Sequence, residues 1–217
     1  MLYQNAYSGI KKIFSAEVIQ LLGIILFSVA SVMAALITLN MGGGNVEASA
    51  GLALFMLLFM ITAAVLVIIG AILSIVGLVK AGNDEPCFKT ALIFVIVSAA
   101  FSAVSVCFSN NGNVHSICET ISKISDLLVT YYVIQGVISL ADKLGDKAVS
   151  QKGYTLIKVI VAIYAVGIAT LLCYGLILAN TTFVALSAVL LIVSIVLSVI
   201  SYILYLSLLA KAKKMLA

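Results

Sequence analysis

The sequence predicts an all-α integral membrane protein: six transmembrane helices in one bundle, with both termini cytoplasmic. Three observations carry this. Of 217 residues, 64% are apolar and only 9% charged, against about 45–50% and about 25% in ordinary globular domains. Six stretches approach or exceed the roughly 20 apolar residues that cross about 30 Å of hydrocarbon. Counted as crossings, those six put every lysine but Lys123 on one side, as the positive-inside rule expects of cytoplasmic segments.

The first element is the segment 1–17. Lys11 and Lys12 ahead of Val18–Leu39 have the look of a signal peptide, but the apolar run outlasts an h-region of about 7–15 residues, so it is expected to stay as span one. Tyr3, Tyr7, Ile10 and Phe14 recur at i, i+4, i+7 and i+11, one apolar stripe beside the two lysines. Two readings stand. One is a short N-terminal interfacial helix at the membrane surface, and the other is a helical extension of span one. Gly9 weakens the helix in either case.

The remaining spans follow between turn-formers and charges. Asn40–Gly44 ends span one, and Gly51–Val79 then runs 29 residues without a charge, long enough to tilt or project. After Lys80–Lys89 come Ala91–Phe108, the break Asn110–Gly112, and Ile124–Ala141, the least apolar span because it carries Asp126, Thr130 and Gln135. Asp142–Gly153 leads to Thr155–Ala179, and Asn180–Thr181 to Thr182–Leu209 and the tail 210–217. The runs lack the alternation of membrane strands, so helices in a single polytopic domain, 1–217, are expected. Lys11, Lys12, Lys80, Lys89, Lys143, Lys147, Lys152, Lys158, Lys211, Lys213 and Lys214 then share the cytoplasmic side. Dropping span four would put the C-terminal lysines outside.

Charged groups at membrane depth are costly and usually functional, and few are evident. Glu17 stands at the cytoplasmic start of span one. Asp126 enters span four about 7.5 Å past Ile121 at 1.5 Å per residue. With Lys123 three residues earlier it forms a candidate outer vestibule or charged collar. Ser98, Ser102 and Ser105 on span three, and Ser194, Ser198 and Ser201 on span six, make stripes at helical period. They read as helix seams, where small residues permit close approach, or as hydroxyls lining a shared pore. Tyr131, Tyr132, Gln135 and Ser139 occupy about one third of the span-four wheel. With Tyr164 and Tyr174 on span five they are the candidate ligand-binding set, or else an interhelical hydrogen-bond cluster. Tyr202 and Tyr205 read as an interfacial aromatic belt.

Several functions are excluded. All twelve basic side chains are Lys, so no guanidinium fork is available and no nucleic-acid partner is expected. The one His and four Cys suggest no metal site, and no cofactor is expected. His115, in an outer loop Ser109–Thr120, is expected to lie away from the membrane serines, and no residue is assigned a catalytic role, so the chain is not read as an enzyme. Cys107 and Cys118 are either a disulfide on an oxidising face or two separate thiols.

The absence of Arg and Trp with Ile/Lys-rich usage points to a bacterial source and a multi-pass protein of the plasma membrane. The expected function is transport-related: binding or passage of a small neutral or weakly polar solute, with the outer loops Asn40–Ala50 and Ser109–Thr120 as covers. Two alternatives stand beside it. One is a membrane scaffold joined through the small-residue seams, its lysines on anionic membrane lipids, and the other is an oligomeric channel. Partners are thus lipid, a small-molecule ligand, and a homo-oligomer or membrane subunit. In span number, sidedness, length and the Ala30/Ala34 pair, the chain resembles the substrate-binding membrane subunits of bacterial vitamin importers. That resemblance implies docking of a membrane partner through Ala30 and Ala34.

Overall fold

The apolar runs become helices that outlast them. In a computed structural model the chain forms α1 (Gln4–Met41), α2 (Val46–Ala81), α3 (Pro86–Cys107), α4 (Gly112–Leu144), α5 (Lys147–Ile177) and α6 (Thr182–Leu216). The structure describes the backbone of residues 3–41, 46–177 and 182–217, and the side chains of 3–37, 51–169 and 189–217. Among the described residues there is no strand, and all six helices are long and apolar enough to cross a membrane. At 38 residues, α1 is about 57 Å long, nearly twice a hydrocarbon layer of about 30 Å.

That excess length settles the N-terminal segment. α1 runs unbroken from Gln4, so the segment extends span one and is not a separate interfacial helix. Ala6, Ile10 and Ile13 are fully buried, and Tyr3, Tyr7 and Phe14 pack against the same core. The stripe is therefore covered by neighbouring helices.

The connections are shorter than the sequence breaks. Residues 82–85 alone join α2 to α3, because Pro86 suits the first helical turn. The expected outer loop Ser109–Thr120 is mostly helix: Asn111 caps α4 by accepting from the Val114 N–H at 3.5 Å, which leaves only 108–111 as connection. Between α4 and α5, Gly145 takes φ 74°. The Asp146 and Gly145 N–H groups bond back to the Ala141 and Asp142 carbonyls, a Schellman closure. The Asp146 carboxylate then accepts from the Ala148 and Val149 N–H groups, each at 3.1 Å, starting α5. Of the expected outer loop Asn40–Ala50, residues 40–41 end α1 and 46–50 begin α2, and 42–45 lie outside the described residues.

Each helix packs on its sequence neighbours and α1 also on α6, closing a circuit, while α4 also touches α6. The most extensive pairings are the hairpins α1–α2, α3–α4 and α5–α6. Their core gathers at one end, where Ile10, Leu78, Phe88, Ile138, Leu156 and Leu209 contribute one fully buried side chain from each helix. Lys80, Lys89, Lys143, Lys147 and Lys211 belong to the same helix ends, so this is the basic end. Towards the other end Leu54, Val106, Ile117 and Ile192 are exposed, as befits surfaces facing lipid.

Acidic residues knit the basic end. Asp84, in the α2–α3 turn, accepts from the Ala6 N–H at 2.7 Å and from Asn5 Nδ2 at 3.1 Å, capping α1 from the turn that leads to the next hairpin. Glu85, 4% exposed, pairs with Lys143 Nζ at 2.5 Å and ties the same turn to α4.

α1 and α2 meet along small residues seven apart: Gly9, Ala16, Gly23 and Ala30 on α1, with Ala63, Gly70 and Gly77 on α2. A Cβ on Gly9 would stand 2.5 Å from the Gly77 carbonyl oxygen, and one on Gly70 would stand 3.2 Å from that of Ala16. Ala30, 1% exposed, continues this row inside the chain, and Ala34 beside it is half-buried.

Candidate functional site

Where the hairpins part above the core, a cavity of about 280 Å³ opens between α1, α4, α5 and α6. Its polar walls are Glu17, Thr130, Tyr164, Ser198, Ser201 and Tyr202, and Tyr205 borders it from the core. Glu17 lies on the turn above Ile10 and Ile13, whose burial turns that face of α1 inward. Tyr202 Oη donates to the Glu17 main-chain carbonyl at 3.0 Å and lies 3.5 Å from its Oε2. Glu17 is five residues beyond Lys12, and Tyr202 nine before Lys211, which is about 7.5 Å and 13.5 Å along the axes. The carboxylate therefore faces the cavity between the helices, within about two turns of the basic end. Tyr202 and Tyr205 are likewise wall and core: Tyr205 is 8% exposed, so the aromatic-belt reading is replaced for both.

Three of the six hydroxyls around the cavity share one polarity. Thr130 Oγ1 donates to the Asp126 carbonyl at 3.2 Å, and Ser198 Oγ donates to the Ser194 carbonyl at 2.8 Å. Together with Tyr202, three lining O–H groups are committed to main-chain carbonyls, which leaves their lone pairs for a guest. Leu127, Ile160 and Tyr164 also line a groove of about 380 Å³ between α4 and α5, so cavity and groove adjoin across these three residues.

The residues expected to bind a ligand are brought together only in part. Tyr131 lines the α4–α5 groove with Tyr164. Tyr132 meets the Tyr131 ring edge to face, with centroids 5.4 Å apart, and also stacks on Phe94 of α3, with centroids 5.6 Å apart and planes at 11°. One third of a wheel still spans two neighbours, because α4 sits between α3 and α5 and consecutive side chains diverge by about 100°. Gln135 and Ser139 are half-buried and do not border the cavity. Tyr174 lies outside the described side chains. From the expected set, only Tyr164 lines the cavity.

The serine stripes have two fates. On α3, Ser98 and Ser102 face Ser122 of α4 at 3.0 and 2.7 Å, and Ser98 Oγ donates to Asp126 Oδ1 at 2.5 Å. On α6, Ser198 and Ser201 face the cavity, and Ser194 accepts from Ser198. Asp126 thus pairs across to α3 and not with Lys123, which holds Glu119 at 2.7 Å. Lys123 is also a helical neighbour of Asp126, but it takes Glu119 one turn earlier, the favoured order of Glu before Lys at i,i+4.

His115 is not remote from the membrane serines. With α4 beginning at Gly112, its Nδ1 comes within 2.8 Å of Ser105 Oγ and 3.2 Å of the Ser105 carbonyl, and Nε2 is 3.9 Å from Glu119 Oε2. The order Ser–His–Glu resembles a hydrolytic relay. Ser105 is only 5% exposed, however, and Glu119 is engaged by Lys123, so the group closes the α3–α4 hairpin. Cys107 and Cys118 are both free thiols, exposed and buried respectively. Among the described residues no cluster of His, Cys, Asp or Glu is arranged to hold a metal.

Sequence reasoning missed Glu17 as a site residue, and with it the small-residue row between α1 and α2. The period of seven is visible in the chain; the depth of Glu17 is not, since its partner lies 185 residues away. No family model, curated protein or solved structure matches the chain.

Proposed function

We propose that this chain is a transport-related membrane protein that binds or passes a small polar solute inside its helical bundle, with both termini cytoplasmic. The observation that carries this reading is the cavity between α1, α4, α5 and α6, whose polar lining includes the Glu17 carboxylate. Its volume of about 280 Å³ lies just under the roughly 300 Å³ at which ligand pockets begin, which suits a solute of few heavy atoms. The adjoining α4–α5 groove offers a route from the lipid side. The scaffold reading is weaker because the small residues it needs are engaged within the chain: Ser98 and Ser102 with Ser122, and Ala30 in the row toward α2.

Native mass spectrometry of the full chain in mild detergent tests the proposal. A monomer retaining a reproducible non-lipid mass is the expected result. A fixed oligomer without such a mass would overturn it in favour of a channel or scaffold.

A further inference from the structure

We infer that the cavity is a site for a primary ammonium group, the N–H-rich cation of a small amine. This deepens the solute-binding reading and rests on it.

The walls offer acceptors. Glu17 supplies a carboxylate, and among the described residues no lysine or histidine forms an ion pair with it. A carboxylate inside a low-dielectric bundle without a protein cation is costly, and a bound cation removes that cost. The O–H protons of Thr130, Ser198 and Tyr202 are directed to main-chain carbonyls, so these oxygens face a guest as acceptors. A primary ammonium is its complement, with three donors and no acceptor, as in the lysine head group. Tyr164 and Tyr202 add aromatic faces, to which cations are attracted. An anion would meet the Glu17 carboxylate and the lone pairs of Thr130, Ser198 and Tyr202. A neutral alcohol would leave the carboxylate uncompensated.

Two sources carry this chemistry, a free amine or the ethanolamine head group of a phospholipid reaching in along the α4–α5 groove. The test separates them. The full chain is reconstituted in phosphatidylcholine nanodiscs, and binding of n-butylamine, 1-butanol and butyrate is measured calorimetrically at neutral pH. The amine should bind at least tenfold more tightly than the alcohol, and butyrate should not bind. Glu17→Gln should weaken amine binding at least tenfold while leaving the alcohol unchanged. Thr130→Val, which keeps the carboxylate, should weaken the amine a few-fold, an independent check should Glu17→Gln fail to fold.

Discs containing phosphatidylethanolamine identify the source. Competition with butylamine assigns the site to the lipid head group, and no competition assigns it to a free solute. Equal binding of amine and alcohol, insensitive to Glu17→Gln and Thr130→Val, would overturn the ammonium assignment and leave the solute cavity standing. If no probe binds, both fall.

Discussion

Glu85 and Lys143 show how one pair fastens the α2–α3 turn to the end of α4. Glu85 is almost wholly buried, while the Lys143 side chain is 44% exposed, so water screens one partner only. Lys143→Met leaves the carboxylate without its cation. The cost is expected at about 1–3 kcal/mol, the penalty of one unsatisfied group, below the roughly 3–5 kcal/mol of breaking a fully buried pair. Reversible SDS unfolding of the full chain measures it. Adding Glu85→Gln to Lys143→Met should recover part of the loss, because the stranded charge is then gone. A single variant as stable as the parent would show that the pair contributes nothing. Asp84 acts beside it in another way: its carboxylate answers the first turn of α1, where free N–H groups and the helix dipole attract an anion.

At the scale of elements, the α1–α2 hairpin is held by absence of side chain. Leu and Ile are no more apolar than lipid, so helices in a membrane associate through close packing, and Gly9 and Gly77 bring two backbones together. A glycine that weakens α1 as an isolated helix therefore strengthens the pair. Gly77→Ala would put a Cβ 2.9 Å from the Gly9 carbonyl oxygen and 3.0 Å from the Ile13 nitrogen. Both are backbone atoms that cannot swing aside. A destabilisation of about 1–3 kcal/mol is expected, the range for overpacking. Gly167→Ala, where nothing stands within 4 Å, should be neutral or stabilise by up to about 1 kcal/mol through helix propensity. Thermal unfolding of both variants in one detergent decides the matter, and equal shifts would refute the close-contact account. Hydropathy made all six helices legible in the sequence, because length and apolarity are local properties. Their ends were less so: caps such as Asn111 and Asp146 carried helix into segments that polarity alone assigns to loops. The site was barely legible. Glu17 follows two lysines and so resembles a flank, and only Tyr202, from the far end of the chain, shows that it faces inward.

For the whole molecule, the arrangement is three hairpins whose described core gathers at the basic end, with the cavity beside that core between α1, α4, α5 and α6. The core and the acidic ties to Asp84 and Glu85 fix the basic end, so a solute would meet a firm floor there. Which face of the membrane that floor occupies follows from charge. Eleven lysines accompany the helix ends and tails on that side and Lys123 stands alone on the other, an asymmetry that should hold the basic end in the cytoplasm. Cys107, exposed at the opposite end of α3, gives a native reporter. With the other cysteines replaced by serine, Cys107 should react with a membrane-impermeant maleimide in intact cells. Lys214→Cys, placed in a chain whose four native cysteines are all replaced, should react only after permeabilisation. Both sites have to be read, because silence at Cys107 alone would also follow from lipid covering the thiol. Labelling of Lys214→Cys in intact cells would invert the orientation and place the open side of the bundle toward the cytoplasm. The direction from which a solute approaches Glu17 would invert with it.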